Sequence, residues 1–414
     1  MNKKTIASWC LYDFANSIYV AVIPATIWAA YYANKVVGNE AGQGDLWWGR
    51  VVSATMLFVA ATSPVMGALA DTAGARKKLL ILYTLVSAAG TCLLATVGPG
   101  MVVWGFAVAL LANIGFEGSM VFYNAYLPEI APADHQGRVS GWGFATGYAG
   151  SLLGLLMVYP LVAREWVGAA LVLTGVAYFL FALPAFAWLP ADTPARLTPA
   201  QAAAGGLRES WRTFRDIVRV PELRRFLLAY FIYEDGVNTV VYFSSIFAAT
   251  TLGFPLTKLV LLFAVVQVSA LLGALVWAKP TDRLGPKFVV LLMLGQWALV
   301  VTGAYFVQTQ MQFFLLAVLA GTGLGAIQAA SRAFMSTLIP AGREGEFFGF
   351  YTLCGKSASV LGPLVFGGVS AATGGNQRLA ILSVLLFYLV GGVLLWNVKA
   401  GGPTGVVSKG AQAA

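Results

Sequence analysis

The sequence predicts an all-α membrane protein: twelve transmembrane helices in two pseudo-symmetric six-helix bundles. Three observations predict it. Of 414 residues, 59% are hydrophobic and only 10% charged, where a soluble globular chain carries about 25% charged residues. Apolar stretches of about 20 residues, long enough to cross a bilayer, recur along the chain. The second half also repeats sequence marks of the first, in the same order.

The stretches cover residues 7–35, 47–70, 79–97, 101–127, 139–163, 168–189, 226–250, 256–278, 287–307, 312–338, 347–371 and 378–397. Each is expected to be helical, because hydrocarbon offers backbone polar groups no partner outside the segment. The first exceeds the length of a signal-peptide core, carries Asp13 inside it and is followed by no clean A-x-A site, so it reads as a retained span. Orientation follows from Lys and Arg, which accumulate on the cytoplasmic side. With the N-terminus inside, the outer segments and their edges hold only Lys35, Arg50, Arg164, Lys258 and Arg378 of the 26 basic residues. Arg332 and Lys356 lie within spans, and the rest fall inside. Both termini are therefore expected in the cytoplasm, with the protein in the cell (inner) membrane. The same asymmetry accounts for the net charge of +9 without nucleic acid.

Residues 191–225 form the one long polar connection. Pro190, Pro194 and Pro199 introduce it, and it continues as LRESWRTFRDIVRV. Trp211, Phe214, Ile217 and Val218 fall there at helical spacing against Arg208, Arg212, Arg215 and Arg219. Two readings fit: an amphipathic helix on the inner leaflet, and a tether between halves with a solvated charged face. The tail 401–414 has nothing to bury and is expected to be disordered. The expected organisation is an N-terminal bundle (1–190), a cytoplasmic linker with the amphipathic helix (191–225), a C-terminal bundle (226–400) and the tail.

Three alignments carry the internal repeat. Asp13-x-x-Asn16-Ser17 in span 1 matches Asp235-x-x-Asn238-Thr239 in span 7. Asp71-Thr-Ala-Gly74 after span 2 matches Asp282-Arg-Leu-Gly285 after span 8. PADHQGRVSGWGFATGYAGSLLG, entering span 5, matches PAGREGEFFGFYTLCGKSASVLG, entering span 11, with Pro132, Gly137, Gly141, Gly147 and Gly154 against Pro340, Gly345, Gly349, Gly355 and Gly362. Six helices plus six in parallel repeat is how a transporter sets a binding site between two rocking halves.

The stretch GALADTAGARKK, Gly67 to Lys78, resembles the loop 2–3 signature of the major facilitator superfamily, with a degenerate partner at Ala278 to Lys287. More narrowly, SWCLYDFANSIY, FYNAYLPEIAP, GRVSGWGFATGYAG and GREGEFFGFYTLCGKSASVLGP resemble the branch labelled unknown major facilitators, related to fungal autophagy-linked vacuolar amino-acid effluxers. The resemblance runs from about residue 8 to about residue 390. It implies that spans 1, 4, 7 and 10 surround a central cavity. It also implies that Asp71 and Arg76, with Asp282 in the second half, are gate residues at the inner mouth. The basic run after Gly285 shrinks to Lys287, a departure from the signature.

Six ionisable residues sit where charge is costly, at no less than about 2.5–3.5 kcal/mol each at mid-bilayer: Asp13, Glu117, Glu234, Asp235, Arg332 and Lys356. Counted at 1.5 Å per residue from the inner ends of their spans, all lie roughly 9–15 Å deep. Helical spacing gives stripes: Asp13, Asn16, Ser17 and Val20 in span 1; Asn113, Glu117 and Asn124 in span 4; Asp235, Asn238, Thr239 and Tyr242 in span 7; Gly321, Gly325, Gln328 and Arg332 in span 10. These stripes are expected to face the cavity. Each acid admits two readings, a structural pairing (Asp13 closing an inner gate with Lys356 or Arg332) or direct handling of ligand and proton. Arg332 suits a substrate carboxylate, which its planar fork holds bidentately. Asp13 or Asp235 suits an amine, with Asn16 and Asn238 as neutral partners and Glu117 as the proton-coupling acid. Gly143, Gly147, Gly150 and Gly154 in span 5, echoed by Gly355, Ser359 and Gly362, form small-xxx-small steps expected as contact surfaces between halves.

Several classes are excluded. Cys10, Cys92 and Cys354 all lie in apolar stretches and imply no disulfide framework. His135 has no nearby Cys and suggests no metal. GFYTLCGKS places five residues between Gly349 and Gly355, not the four of a phosphate loop, and lies inside a span. No catalytic constellation, cofactor or nucleic-acid partner is expected. The expected function is secondary active transport of a small polar solute, an amino acid first, by alternating access, coupled to protons, with Na⁺ open at Asp13 and Asn16. Export of lipophilic cations or lipids, and a non-transporting sensor on the same fold, are the alternatives. The expected partners are the solute, the coupling ion and membrane lipids, with the protein a monomer.

Overall fold

The computed structural model describes residues 2–72, 74–132, 136–192, 198–339, 350–351, 354–355 and 357–399. Lys356, the side chains of Asp71 and Asp282, the repeat residues Pro340, Gly345 and Gly349, His135 and the tail 401–414 lie outside the described residues.

Every regular element among the described residues is helical. Span 1 is α1 (Lys3–Val22), α2 (Ile27–Tyr31) and a π-helical turn (Tyr32–Val37). Pro24 cannot donate to the helical ladder, and α1 stops just before it. Thr26 Oγ1 donates to the carbonyl of Ala21 across the break. Spans 2 to 6 are α3 (Gln43–Thr72), α4 (Arg76–Leu93), α5 (Val102–Ala125), α7 (Gln136–Val162) and α8 (Val167–Trp188), with the short α6 (Leu127–Ile130) after α5. The linker forms α9 (Pro199–Arg219), started by a capping box between Thr198 and Gln201. Spans 7 to 10 are α10 (Pro221–Leu252), α11 (Leu256–Leu284), α12 (Pro286–Phe306) and α13 (Gln310–Leu338). Span 11 contributes α14 (Leu361–Ala372), and span 12 is α15 (Gln377–Ser383) followed by α16 (Leu385–Trp396).

Nine helical stretches among the described residues are long and apolar enough to cross a membrane. The 30 residues of α3 and 32 of α10 are also long enough, at a rise of about 1.5 Å per residue. Leu156, Val103, Leu315 and Trp396 are exposed on the outside of the bundle, as expected where the surrounding solvent is hydrocarbon. In the first half α1 packs on α7 and α8, and α4 on α5. In the second, α11 packs on α13, and α10 on α16. The halves meet where α3 lies against α14 and α7 against α11.

Two differences from the sequence reading matter. The glycines of span 5 serve the inside of one half rather than the seam. A Cβ on Gly150 would stand 2.2 Å from the carbonyl oxygen of Phe14, and one on Gly154 3.0 Å from Ile18, so backbone touches backbone between α7 and α1. Span 11 is not one continuous helix. Ala358, Ser359 and Val360 form turn and bend, and α14 begins only at Leu361.

Candidate functional site at the seam of the two halves

The site begins with α5. Asn113 and Glu117 stand at i and i+4, on one face of the helix. Asn113 accepts a hydrogen bond from the Tyr19 hydroxyl of α1, which fixes its amide. Phe116 stacks on Tyr19 with ring centroids 4.8 Å apart. Glu117, 8% exposed, opens into a cavity of about 70 Å³ lined by Val20, Thr55, Asn113, Phe116 and, from the other half, Tyr242. Ligand pockets run to about 300–1,000 Å³. At about 70 Å³ the cavity has room for water at the seam and falls well short of a ligand pocket.

At the end of the molecule away from the chain termini, here the distal end, a buried polar network joins the halves. Asp45, fully buried in the first turn of α3, accepts from Asn39 Nδ2 at 2.9 Å. It also accepts from Gln377 Nε2 at 2.8 and 3.0 Å and from the Ser370 hydroxyl at 2.5 Å. Thr250 donates to Asn34 at 2.6 Å, and Trp48 Nε1 donates to the carbonyl of Tyr242 at 3.2 Å. Close backbone approach supports the seal: a Cβ on Gly49 would lie 2.4 Å from the carbonyl oxygen of Pro363. Sequence reasoning passed over Asp45, Asn39 and Gln377 because they sit at span ends, where a polar residue needs no special explanation.

The paired motifs do different things in the two halves. Asp235, fully buried, accepts from the backbone N–H of Leu361 at 3.0 Å and of Gly362 at 2.9 Å. These are the donors that a helix start leaves unsatisfied, and the carboxylate also suits the positive end of the helix dipole. Asn238 Nδ2 donates to the carbonyl of Ala358, in the break, at 2.8 Å. Ser53 of the opposite half donates to the carbonyl of Val360 at 2.8 Å. The span 7 motif thus holds the broken span 11, and Asp235 faces α14 rather than the cavity. In the first half, Asn16 Nδ2 donates to Asp13 Oδ1 at 3.1 Å. Asp13 is half-buried beside the unbroken α7, where a Cβ on Gly143 would stand 2.9 Å from its Oδ2.

The remaining expected residues spread toward the terminal end. Arg332 is exposed and lies over the Phe144 ring of α7, 4.8 Å from its centroid, so it spans the seam. Asn124 is exposed and does not line the cavity. Arg76 pairs with Glu129 of its own half and lies over Tyr126. Asp192 accepts from the backbone N–H groups of Lys77 and Lys78. The cavity, the seal and Glu117 therefore come together. Asp13 and Arg332 lie nearer the termini, and Asp235 is committed to a helix start.

Comparison with known proteins agrees with this architecture. The family described as "Vacuole effluxer Atg22 like" matches residues 50–402. The uncharacterized MFS-type transporter YxiO of Bacillus subtilis is 29% identical over 401 residues, covering 94% of this chain and 93% of that one. Autophagy-related protein 22 of Yarrowia lipolytica is 25% identical over 433 residues, covering 81% and 73%. Among solved structures, the nucleoside transporter NupG superposes with a TM-score of 0.71 at 14% identity, covering 96% of this chain and 98% of that one. A D-xylose-proton symporter does so with a TM-score of 0.69 at 16% identity, covering 95% and 97%. A membrane-spanning two-bundle fold with a polar seam, matched over most of its length by that family, makes this chain a major facilitator superfamily transporter, not an enzyme, and a member of the vacuole effluxer Atg22-like family.

Proposed function

We propose that this transporter moves a small polar solute, an amino acid first, by alternating access, and that the movement is coupled to protons. The observation that carries this reading is the cavity itself. A carboxylate, Glu117, and an amide, Asn113, face it from one half and Tyr242 from the other, directly inside a buried polar seal. An aqueous path between bundles is where intramembrane charge is tolerated. Arg332, a cationic side chain at the seam, would take the substrate carboxylate on the terminal side. Asp13, half-buried with Asn16 beside it, would take the amine. Asp235 and Asn238 serve the same site indirectly, by holding span 11. Glu117 is the acid that a proton entering the cavity meets first. Arg76 and the loop around it would gate the terminal mouth, which we place on the cytoplasmic side of the cell membrane together with both termini.

The test is flux in proteoliposomes. Labelled amino acids are expected to accumulate under an imposed pH gradient and to stop doing so when the gradient is collapsed. Movement of lipophilic cations or lipid in their place overturns the substrate assignment. Glu117→Gln is expected to bind solute but lose gradient dependence, and unchanged dependence removes Glu117 from coupling.

A further inference from the structure

Glu234 lies next to Asp235 on α10 but serves neither the cavity nor the broken helix. It is 6% exposed, and its Oε2 is buried with no hydrogen-bond partner. Among the described residues, the groups within electrostatic reach are mostly neutral: Tyr230, Tyr233 and Tyr242 of its own helix, Tyr351 and Cys354 of span 11, and Tyr388 of α16. Asp235 is the adjacent acid. Arg332, on α13, is the cation within electrostatic reach of Tyr351 among the described residues. The same interior holds two more buried polar atoms without partners, the Tyr388 hydroxyl and Trp297 Nε1, whose rings are 5.9 Å apart. With Ser245 Oγ, also on α10, four buried polar atoms among the described residues of this bundle lack a partner; buried polar groups are satisfied in the great majority of cases, so such orphans call for a cause.

We infer that Glu234 is a proton-holding site of the transport cycle, separate from the solute cavity and loaded in the distally sealed state. The inference rests on the proposed proton coupling and adds a second acid to it. The physics is direct. An ionised carboxylate inside a bundle without a paired cation loses several kcal/mol of hydration, whereas a carboxylic acid carries no net charge. The proton binds to the carboxylate as the conformation closes and leaves as hydronium or to water when the site is wetted. The device that wets it is the neighbouring break in span 11. Asp235 and Asn238 grip that break from one half and Ser53 from the other. Parting of the halves must release Ser53 from Val360 and shift span 11 against α10, uncovering the face where Tyr351 and Cys354 screen Glu234.

The experiment compares wild type with Glu234→Gln, both in proteoliposomes and by infrared difference spectroscopy on the purified protein. We expect wild type to show a protonated-carboxyl C=O band that titrates with pH and is missing in E234Q. E234Q should retain solute counterflow without a gradient and lose accumulation driven by one. A band unchanged in E234Q overturns the inference, as does gradient-driven accumulation equal to wild type. Loss of counterflow together with accumulation, in a variant that elutes as folded protein, also overturns it, because the role is then translocation itself. Where wild type moves none of the amino acids tested, the substrate reading fails by itself. The infrared arm then still decides Glu234, with presence of the band supporting the site and its absence ending it.

Discussion

Single side chains here are explained best by asking which backbone groups they satisfy. Asp235 takes two N–H groups at the start of α14. Asp235→Ala leaves the buried Gly362 donor and the part-buried Leu361 donor without a partner, at about 1–3 kcal/mol for a buried one. The expected outcome is a clear drop in the thermal midpoint of the detergent-solubilised protein. Asn238→Ala frees one carbonyl in the break and is expected to cost less. The spacing of Asp235, Asn238 and Thr239 was legible in the sequence, as was its repetition at Asp13, Asn16 and Ser17. Its task was not. Periodicity says which residues share a face, and a face can be turned toward a neighbouring helix as readily as toward water. The register of span 11 against α10 decides between the two, and no local pattern encodes it.

The elements show how closely helices approach and where they need not. Gly150→Val pushes side-chain atoms into the Phe14 carbonyl, against which even a Cβ would stand at 2.2 Å. Overpacking of this kind costs about 1–3 kcal/mol or more. Loss of the monodisperse peak in size-exclusion chromatography is the expected readout. Gly205 in α9 is exposed, and an added Cβ meets nothing within 4 Å. Gly205→Ala is therefore expected to leave transport unchanged and to favour the helix by about 0.5–1 kcal/mol, seen as a small rise in thermal midpoint. The linker helix was readable from its alternating arginine and apolar faces, and it starts earlier than those faces suggest because Thr198 and Gln201 cap it. It packs against α3 and α10, and Phe214 meets Phe350 of span 11 at 6.4 Å between centroids. The linker therefore touches span 11 on the other side of the break from the α14 start that Asp235 holds.

At the scale of the whole molecule, the structure has its distal end sealed, and the proposed alternating access requires a second state in which that seal is open. The Asp45 core of the seal is polar and buried, so its bonds to Asn39, Ser370 and Gln377 are made away from competing water, and removing one partner leaves the Asp45 carboxylate under-satisfied. Gln377→Ala is expected to shift the population toward the distally open state. In a cysteine-free background, Thr55→Cys at the cavity wall should then react faster with an impermeant thiol reagent added from the distal side. An unchanged labelling rate would remove the network from gating. Population-shift reasoning requires such a differential effect: a contact present in one state and absent in the other moves the balance, and a contact common to both does not.

The sequence by itself determined the solvent, the number of spans, the duplication and the set of intramembrane charges. Each of these is set by local composition and spacing, through the cost of placing polar groups in hydrocarbon. Tertiary structure alone decided which charges share a chamber. Glu117 faces the seam because Tyr19 and Phe116 orient its helix against α1, Asp235 is spent on a helix start, and Glu234 is enclosed by rings from spans 7, 11 and 12. It also decided that Asp45, unremarkable at a span end in one dimension, meets Ser370 and Gln377 from more than 300 residues away. The physical reason is the same throughout: burial of a charge is a local property, but its partner is chosen by how distant helices are packed.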